Sequence, residues 1–308
     1  MLDKKTKKKI YESHLPIWDK FSSIRRRPRR ILDTADIDLY FYPIERQPIC
    51  VHPLIKMHGE KMIWNILLQT GYKFLADIAF VEIKVVNHIS EKIYDGTLNF
   101  NFPLAMRHDL LSVIVDEAYH AYVALDVMNQ LEEATQIKPC YIPKTNEILN
   151  AYQYYINNII PPEYCDIFEV ITICIAENTL TKELFSMTKQ ENLNPFFHKI
   201  MADHMSDEGR HSQLFSELLR NLWLHIGKDE KEYFMKILPG FIQMYQTLDL
   251  HIDYNIQLLR YLGFSEADTQ LIVEDTFKGR SEELNLKSNP VIHNLAAMFM
   301  RSGIEFKI

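Results

Sequence analysis

Glycine and long apolar runs are both scarce in this sequence. Only 9 of the 308 residues are glycine, which argues against a glycine-rich phosphate-binding architecture and against a β-sandwich with many tight turns. No stretch approaches the roughly 18 uncharged apolar residues that a membrane-spanning helix needs. These absences leave a globular protein without a transmembrane helix as the expected class.

Cysteine pairs are also missing. The four cysteines, Cys50, Cys140, Cys165 and Cys174, form no C-x-x-C motif, so neither a zinc ribbon nor a redox-active dithiol is indicated. The first ten residues, MLDKKTKKKI, lack the apolar stretch of a secretory signal peptide. The expected location is therefore the reducing cytoplasm.

Positive charge is concentrated near the N-terminus, although the whole chain has a formal net charge of −7. Residues 1–30 hold 11 lysines and arginines against 3 acidic residues, and they include the run RRRPRR. We expect a solvated arm here, because blocks of like charge are usually hydrated. No basic motif with interleaved aromatic residues follows, so nucleic acid is not an expected partner. Docking of an acidic carrier protein is the alternative.

The pattern along the chain predicts one helical domain behind an N-terminal arm. Five scattered prolines predict an irregular arm over residues 1–57, and no Ser/Gly/Pro-rich linker divides the rest. From residue 58 to residue 308, apolar residues at helical spacing and Pro or Asn-Pro helix starts predict an all-α domain. The predicted helices cover 58–91, 103–133, 146–158, 161–190, 194–226, 229–262, 265–284 and 290–300.

The motif D-E-x-x-H occurs twice, as DEAYH at 116–120 and as DEGRH at 207–211. Random placement of these residue types predicts roughly 0.05 copies in a chain of this composition. Because residues three apart lie on one face of a helix, the Glu and the His of each motif can bind the same metal ion.

Each motif has an upstream glutamate at a matching level. From Glu177 to the break that follows is about 21 Å of helix, and from Pro195 to Glu208 is about 20 Å. These two carboxylates are thus at the same level on antiparallel helices, and the same arithmetic pairs Glu82 with Glu117. The sequence therefore predicts two helical hairpins, each of which places a Glu opposite an E-x-x-H.

Two such hairpins make the dimetal pattern of ferritin-like four-helix bundles, in which two helices give a Glu and two give an E-x-x-H. The long stretch between His120 and Glu177 matches the single long crossover of these bundles. Carboxylates and imidazoles without thiolates suit iron or manganese. We expect Asp116 and Asp207 to lie behind the ligands, each accepting an N–H from a ligand histidine and fixing its tautomer.

A third histidine, His204, lies on the same helical face. It precedes Glu208 by four residues and His211 by seven, so the three side chains fall within an arc of about 60°. Two metal ligands already set this face. That favours His204 as a further ligand over the alternative, a hydrogen-bonded core histidine.

The complete ligand set is similar to that of the p-aminobenzoate N-oxygenase family of diiron enzymes: Glu82, Glu117, His120, Glu177, His204, Glu208 and His211. The third histidine distinguishes this family from ordinary ferritin-like diiron proteins. The resemblance begins at DIDL, residues 36–39, and continues beyond His211. It implies two iron ions that activate O₂ with electrons from an external donor. It also implies oxidation of a primary amine to a hydroxylamine, nitroso or nitro product in natural-product biosynthesis, with Glu117 and Glu208, or their partners, as bridges.

Other functions stay open at this point. One is a different diiron oxidase, such as a desaturase or a C–H hydroxylase, and another is an iron-binding protein without an organic substrate. Manganese in place of one iron is also open, because selectivity among divalent ions depends on geometry and supply. An N-oxygenase could act on a free arylamine, an aliphatic amine, an amino acid, or an amino acid tethered to a carrier protein. It could also form a homodimer.

Four residues are candidates for the substrate pocket: Tyr119, Asn178, Met187 and Arg280. Tyr119 flanks a ligand histidine and could form a hydrogen bond or a radical, with ordinary packing as the alternative. Asn178 and Met187 follow Glu177 on its helix. Arg280 could clamp a substrate carboxylate, since arginine suits bidentate pairing, or it could be a surface residue.

Overall fold

The structure, a computed structural model, describes residues 11–187, 193–278 and 290–305. Within these ranges the regular secondary structure is helical, apart from an isolated bridge between Tyr40 and Leu193, so the predicted all-α class is confirmed. In the same ranges, every helix is either too short or too polar to cross a lipid bilayer. The α-helices described are α1 (Leu15–Phe21), α2 (Ser23–Arg26), α3 (Pro53–Met57), α4 (Glu60–Val81), α5 (His88–Asp95), α6 (Leu104–Thr135), α7 (Glu147–Asn158), α8 (Cys165–Met187), α9 (Pro195–His225), α10 (Lys228–Tyr245), α11 (Asp249–Tyr261), α12 (Glu266–Phe277) and α13 (Pro290–Arg301).

A π-helical segment, Glu82–Asn87, joins α4 to α5 without a break. The resulting helical rod ends at Gly96, which adopts a left-handed conformation with φ of 78°. Glycine is the residue that takes this conformation at least cost, so it ends the helix here. The sequence predicted this helix but not its π turn.

Proline and asparagine start the long helices, as the sequence predicted. Pro103 directly precedes α6, where the first N–H groups of a helix have no partner within it. Asn194 caps α9 by accepting the N–H of Phe196 at 2.9 Å, and Asn146 caps α7 by accepting the N–H of Leu149 at 3.0 Å. These caps fix where each helix begins. They therefore fix the level at which its side chains meet the neighbouring helices.

Four helical stretches form the central bundle: the α4–α5 rod, α6, α8 and α9. Helix α6 packs along the rod, and α8 packs along α9. Since a short connection joins the members of each pair, each pair is an antiparallel hairpin. Contacts between α6 and α9 and between the rod and α8 bring the two hairpins together.

Apolar side chains fill the bundle on both sides of a polar layer. One apolar cluster includes Val85, Phe168 and Phe215, and the other includes Ile66 and Phe197, all fully buried. Along α6 and along α9, the two clusters lie on opposite sides of the predicted ligand positions. Burial of apolar surface stabilises a fold by about 25 cal/mol per Å². It also leaves the ligands between two layers that exclude water.

One helix that the sequence predicted over 229–262 is two helices, so this prediction was wrong. The chain leaves α10 at Tyr245 and resumes as α11 at Asp249. No glycine or proline occurs between them, so the usual stop signals are missing. The break reflects tertiary packing instead, because α10 packs against α7 whereas α11 packs against α12. The helix predicted over 265–284 also ends early, at Phe277.

The N-terminal segment, which is residues 11–57, contains the short helices α1 to α3 and three 3₁₀ turns. It folds back onto the bundle. Arg29 pairs with Asp126 of α6 at 2.7 Å, and Arg30 pairs with Asp203 of α9 at 2.7 Å. These arginines pair with aspartates of the same chain, so the segment lies against the bundle, and the Arg29 side chain is still 55% exposed.

Candidate metal centre

Seven buried side chains from the four central helices meet in the polar layer. They form two groups that share Glu208, and in each group one ligand atom per residue lies within 4.8 Å of all the others. Their exposed fractions are 6% or less. The fold thus brings together all seven residues that the sequence proposed as metal ligands. The first group is Glu82, His120, His204 and Glu208, and the second is Glu117, Glu177, Glu208 and His211.

Each central helix places its proposed ligand residues at the level along the bundle that hairpin geometry predicted. Glu82 is the first residue of the π-helical segment, and Glu177 lies on α8. The two E-x-x-H motifs lie on α6 and α9. A π turn holds one extra residue and so changes the face that later residues present, and such turns occur often at functional sites.

In the first group, His204 lies closest to the carboxylates. Its Nε2 is 2.9 Å from Glu82 Oε1 and 3.1 Å from Glu208 Oε1. The Nδ1 of His120 is 3.7 Å and 3.5 Å from the same two oxygens. The two imidazole rings lie 3.9 Å apart between centroids. Both histidines therefore direct a ring nitrogen at the same pair of carboxylates.

In the second group, His211 Nδ1 faces three carboxylates. It lies 2.7 Å from Glu117 Oε1, 3.5 Å from Glu208 Oε1 and 3.7 Å from Glu177 Oε2. Glu117 reaches both groups, because its Oε2 is 3.5 Å from His120 Nδ1. Glu208 Oε1 also lies within 3.5 Å of histidines from both groups. Glu117 and Glu208 thus occupy positions between the two groups.

Two buried aspartates lie behind these histidines, and each serves the opposite motif. The Nε2–H of His120 donates to Asp207 Oδ2 at 3.0 Å, and that of His211 donates to Asp116 Oδ2 at 3.2 Å. With Nε2 used as a donor, Nδ1 is the nitrogen that faces the glutamates. The aspartates therefore favour a metal-binding tautomer from behind.

The N-terminal segment completes the hydrogen bonding of these aspartates. Trp18 Nε1 donates to Asp116 Oδ2 at 2.9 Å, and Ser22 Oγ donates to Asp116 Oδ1 at 2.6 Å. Ser23 donates to Asp207 from its backbone N–H at 3.1 Å and also from its hydroxyl. Sequence reasoning missed Trp18, Ser22 and Ser23, because no local motif around them indicates contact with helices so distant along the chain.

Burial and neighbouring charge control the ionisation of the glutamates. Burial raises the pKa of Glu82 to about 7, although His204 opposes the shift. Burial, followed by the charge of Glu208, raises the pKa of Glu177 well above its usual value. For Glu208, burial also raises the pKa, but His211 and His204 outweigh burial and hold the pKa well below its usual value.

The same carboxylates favour protonated histidines in the metal-free protein. Burial lowers the pKa of His120, but the hydrogen bond to Asp207 and the charge of Glu117 outweigh burial and raise the pKa well above 6.5. Burial likewise lowers the pKa of His211, and the charges of Glu117 and Glu208 raise it well above the same value. The space between rings and carboxylates therefore attracts positive charge, either as protons or as metal ions.

The donor set fits two divalent metal ions. Among the described residues, Nδ1 of His120 and of His211 and both carboxylate oxygens of Glu82 and of Glu117 take part in no hydrogen bond of normal geometry. Buried polar atoms without such partners are costly unless a cation lies between them. When fully ionised, the four glutamates of the two groups would carry four negative charges, which two divalent ions would balance. Nitrogen and oxygen donors suit iron or manganese.

Two of the predicted pocket residues, Asn178 and Met187, serve the packing of the bundle. Asn178 Nδ2 donates to the backbone oxygen of Cys174 at 3.0 Å, and its Oδ1 accepts from Ser212 of α9 at 2.9 Å. Met187 is fully buried in the apolar cluster that contains Phe197. Neither residue lines the small cavity that has His120 and His204 in its wall, or the larger cavity beside α4 and α8.

Of these cavities, the larger has a volume of about 690 Å³ and contains Val81 and Ala176, the chain neighbours of two of the glutamates, in its wall. The smaller has a volume of about 40 Å³ and contains two of the histidines in its wall. Tyr119, a predicted pocket residue, lines the smaller cavity. Arg280 lies outside the described residues.

A family model for P-aminobenzoate N-oxygenase AurF matches residues 30–278 of this chain. The chain belongs to this family. It is also similar to the 4-aminobenzoate N-oxygenase of Streptomyces thioluteus, with 19% identity over 237 residues that cover 76% of this chain and 70% of the relative. The family predicted from the ligand set is thus confirmed. In this member of the p-aminobenzoate N-oxygenase family, all seven residues of the candidate centre lie inside the matched span, whereas Trp18, Ser22 and Ser23 precede it.

Proposed function

We propose that this member of the p-aminobenzoate N-oxygenase family binds two iron ions and uses O₂ to oxidise a primary amine at nitrogen. The observation that carries the proposal is the pair of buried groups, which together contain three histidines and four glutamates and have Glu208 in common. Family membership supports an oxygenase reaction. The name of the Streptomyces relative, a 4-aminobenzoate N-oxygenase, supports an arylamine as the first substrate class to test.

In this proposal the two groups hold one iron each, and the two central glutamates are shared. The assignment is Glu82, His120 and His204 to one ion, Glu177 and His211 to the other, and Glu117 and Glu208 to both. Two bound Fe(II) ions would supply the binding and reductive activation of O₂. The chain's own part is to hold seven donors at fixed positions on four helices. Asp116 and Asp207 keep the rear nitrogens of two histidines protonated.

The simplest reaction of this class is balanced by two electrons and two protons. It converts R–NH₂, O₂, two electrons and two protons to R–NHOH and H₂O, and the electrons come from an external reductant. Nitroso and nitro products would require further oxidation of the same nitrogen. Because the donor side chains are at most 6% exposed, bulk water is kept away from the reacting atoms.

The larger cavity is the proposed site for the amine. At about 690 Å³, it lies within the usual range for small-molecule sites, about 300–1,000 Å³. Lys73, Asp77 and His251 are in its wall, and Lys73 donates to Asp77 at 2.5 Å. Burial and the charges of Lys73 and Arg46 lower the pKa of His251 to about 4. His251 is therefore uncharged at neutral pH, and the charged wall residues have both signs, with Arg46 and Lys73 against Glu45, Asp77 and Glu147.

Oxidation of a panel of amines tests the proposal. Protein loaded with Fe(II) is given a reductant, ¹⁸O₂ and, in turn, arylamines, aliphatic amines, amino acids and carrier-tethered amino acids. The expected result is two irons per chain and an N-oxygenated product that contains ¹⁸O. Products of C–H hydroxylation or desaturation alone would indicate another diiron oxidase. Iron uptake without oxidation of any amine would favour an iron-binding protein.

A further inference from the structure

The smaller cavity lies between the N-terminal segment and helices α4, α6 and α9. Its inner end is bounded by His120 and His204, two of the proposed iron ligands. Its outer end is bounded by the stretch from Arg27 to Arg30. The cavity is therefore a short space between the metal centre and the inner side of the N-terminal segment.

The walls between these two ends are largely apolar. Leu75 and Ile78 come from α4, Val127 comes from α6, and Ile200 and Met201 come from α9. All five side chains are at most 4% exposed. Apolar cavities in proteins stay dry and take up small apolar molecules, because a water molecule there would lack hydrogen-bond partners. This apolar part of the wall disfavours water and charged ligands, while Ser23, Tyr119 and Tyr122 also line the cavity.

The size of this cavity distinguishes the two reactants of the proposed reaction. A protein cavity that binds benzene measures about 150 Å³, whereas about 10–15 Å³ is enough for one water molecule. At about 40 Å³, the space is too small for an aromatic amine but large enough for a diatomic molecule. The cavity of about 690 Å³ takes the amine by the same comparison.

Ion pairs close the outer end of the cavity. Arg29 pairs with Asp126 at 2.7 Å, and Asp203 pairs with Arg30 at 2.7 Å and with Arg27 at 3.2 Å. These pairs tie the N-terminal segment to α6 and α9 above the apolar walls. They obstruct large or charged solutes, whereas a neutral diatomic molecule has no charge for them to hold or repel.

We propose that this cavity is a dioxygen site, through which O₂ reaches the metal centre separately from the amine. The proposal rests on the proposed function, because O₂ is a reactant only if the protein is an oxygenase or oxidase. No bond forms or breaks in the cavity. O₂ is taken up by the apolar walls and passes on unchanged to the side on which His120 and His204 lie.

Xenon tests the cavity without metal, amine or turnover. In metal-free protein under rising xenon pressure, we expect saturable shifts in the NMR signals of the methyl groups of Leu75, Val127 and Ile200. Val170, fully buried in the other apolar cluster, is the internal control. Val123 of α6 also lines the cavity, so Val123→Phe places a ring there and should abolish the shifts. Ile200→Phe provides a second filling variant from the facing helix. The proposal would be overturned if the wild-type protein showed no shifts, or if both folded variants showed shifts equal to those of the wild type.

The oxidation rate of Fe(II)-loaded protein by O₂, measured without amine, tests the route. Val123→Phe should lower the second-order rate constant about tenfold, as a barrier about 1.4 kcal/mol higher would do. Val115→Phe, at a position 41% exposed on the same helix, should leave the rate constant unchanged. With an amine present, Val123→Phe should raise the KM for O₂ and not the KM for the amine.

The two proposals fail in different ways. If Val123→Phe protein no longer takes up xenon but reacts with O₂ at the wild-type rate, the dioxygen route is wrong, whatever the product. If neither wild type nor variant forms an N-oxygenated product but the difference in O₂ rate persists, the N-oxygenase assignment is wrong and the dioxygen route stands.

Discussion

Replacement of Asp207 by asparagine would disturb the hydrogen bond that holds His120 in its metal-binding tautomer, with almost no change in side-chain volume. In the structure, Asp207 Oδ2 accepts from His120 Nε2 at 3.0 Å and from the hydroxyl of Ser23, while Oδ1 accepts from Arg210. Asparagine has one acceptor oxygen instead of two. Either His120 or Arg210 would therefore lose its acceptor and face an amide N–H.

The expected loss is one to two orders of magnitude in metal affinity. Removal of a group that orients a ligand histidine typically costs about 10–100-fold, which corresponds to about 1.4–2.7 kcal/mol. We expect the upper part of this range because Asp207 is fully buried. Burial raises the pKa of Asp207, but the hydrogen bond and charge of His120 outweigh burial and hold the pKa far below its usual value. The carboxylate is thus strongly engaged.

Calorimetric titration of metal-free protein with Mn(II) or Fe(II) measures this loss. The binding step that involves His120 should weaken, and the step that involves His211 should change much less. Asp116→Asn is the matched variant, and it should weaken the step that involves His211 and change the step that involves His120 much less. Asp126→Asn controls for the removal of one negative charge outside the ligand groups. Wild-type affinity in a folded Asp207→Asn protein would refute the idea that this aspartate prepares His120 for metal.

The centre gives four more testable outcomes, two from substitutions and two from changes of pH. His204→Ala should retain the fold but lose most iron from the first group and most amine oxidation; full activity with two irons per chain would show that His204 only packs. Ser23→Ala should lower the free energy of unfolding of the metal-free protein by about 1.5–3 kcal/mol, the usual value of a hydrogen bond to a charged group, and a denaturant titration that finds no change would count against it. Metal affinity should rise with pH, because metal displaces protons from His120 and His211, whose pKa values are raised. The stability of the metal-free protein should fall as pH rises above 6.5, because the unfolded histidines lose their protons there while the folded ones retain them. Calorimetry measures the metal affinity at several pH values, and denaturant unfolding measures the stability. A pH-independent metal affinity would contradict the prediction for metal binding.

The spacing of residues predicted which side chains meet because every part of that signal is local. An E-x-x-H motif fixes its own helical face, and the distance from a ligand to the nearest helix end fixes its level in a hairpin. His204 required only the same helical arithmetic. Pro103 and Asn194 marked the helix starts from which these distances are counted. The sequence therefore contained both the face and the level of each proposed ligand.

Features that depend on contacts between distant segments could not be predicted in this way. The crossing of the His–Asp pairs depends on how α6 and α9 approach each other, which no spacing within either helix records. The break between α10 and α11 likewise depends on their different packing partners. The π turn at Glu82 changes the helical register without any glycine or proline between residues 82 and 87.

The N-terminal segment shows why composition alone could not predict the partners of a charged stretch. Four buried glutamates can be balanced by two divalent ions, but the carboxylates of Asp116 and Asp207 are buried beside them and need partners of their own. Arg210 supplies one positive charge to Asp207. Trp18, Ser22 and Ser23 supply the other donors. A buried polar network is stable only when its members have hydrogen-bond partners. The contacts from the N-terminal segment supply those partners to the two aspartates. They complete the rear wall of the metal centre, and any change that loosens the segment would weaken the hold of both aspartates on the histidines in front of them.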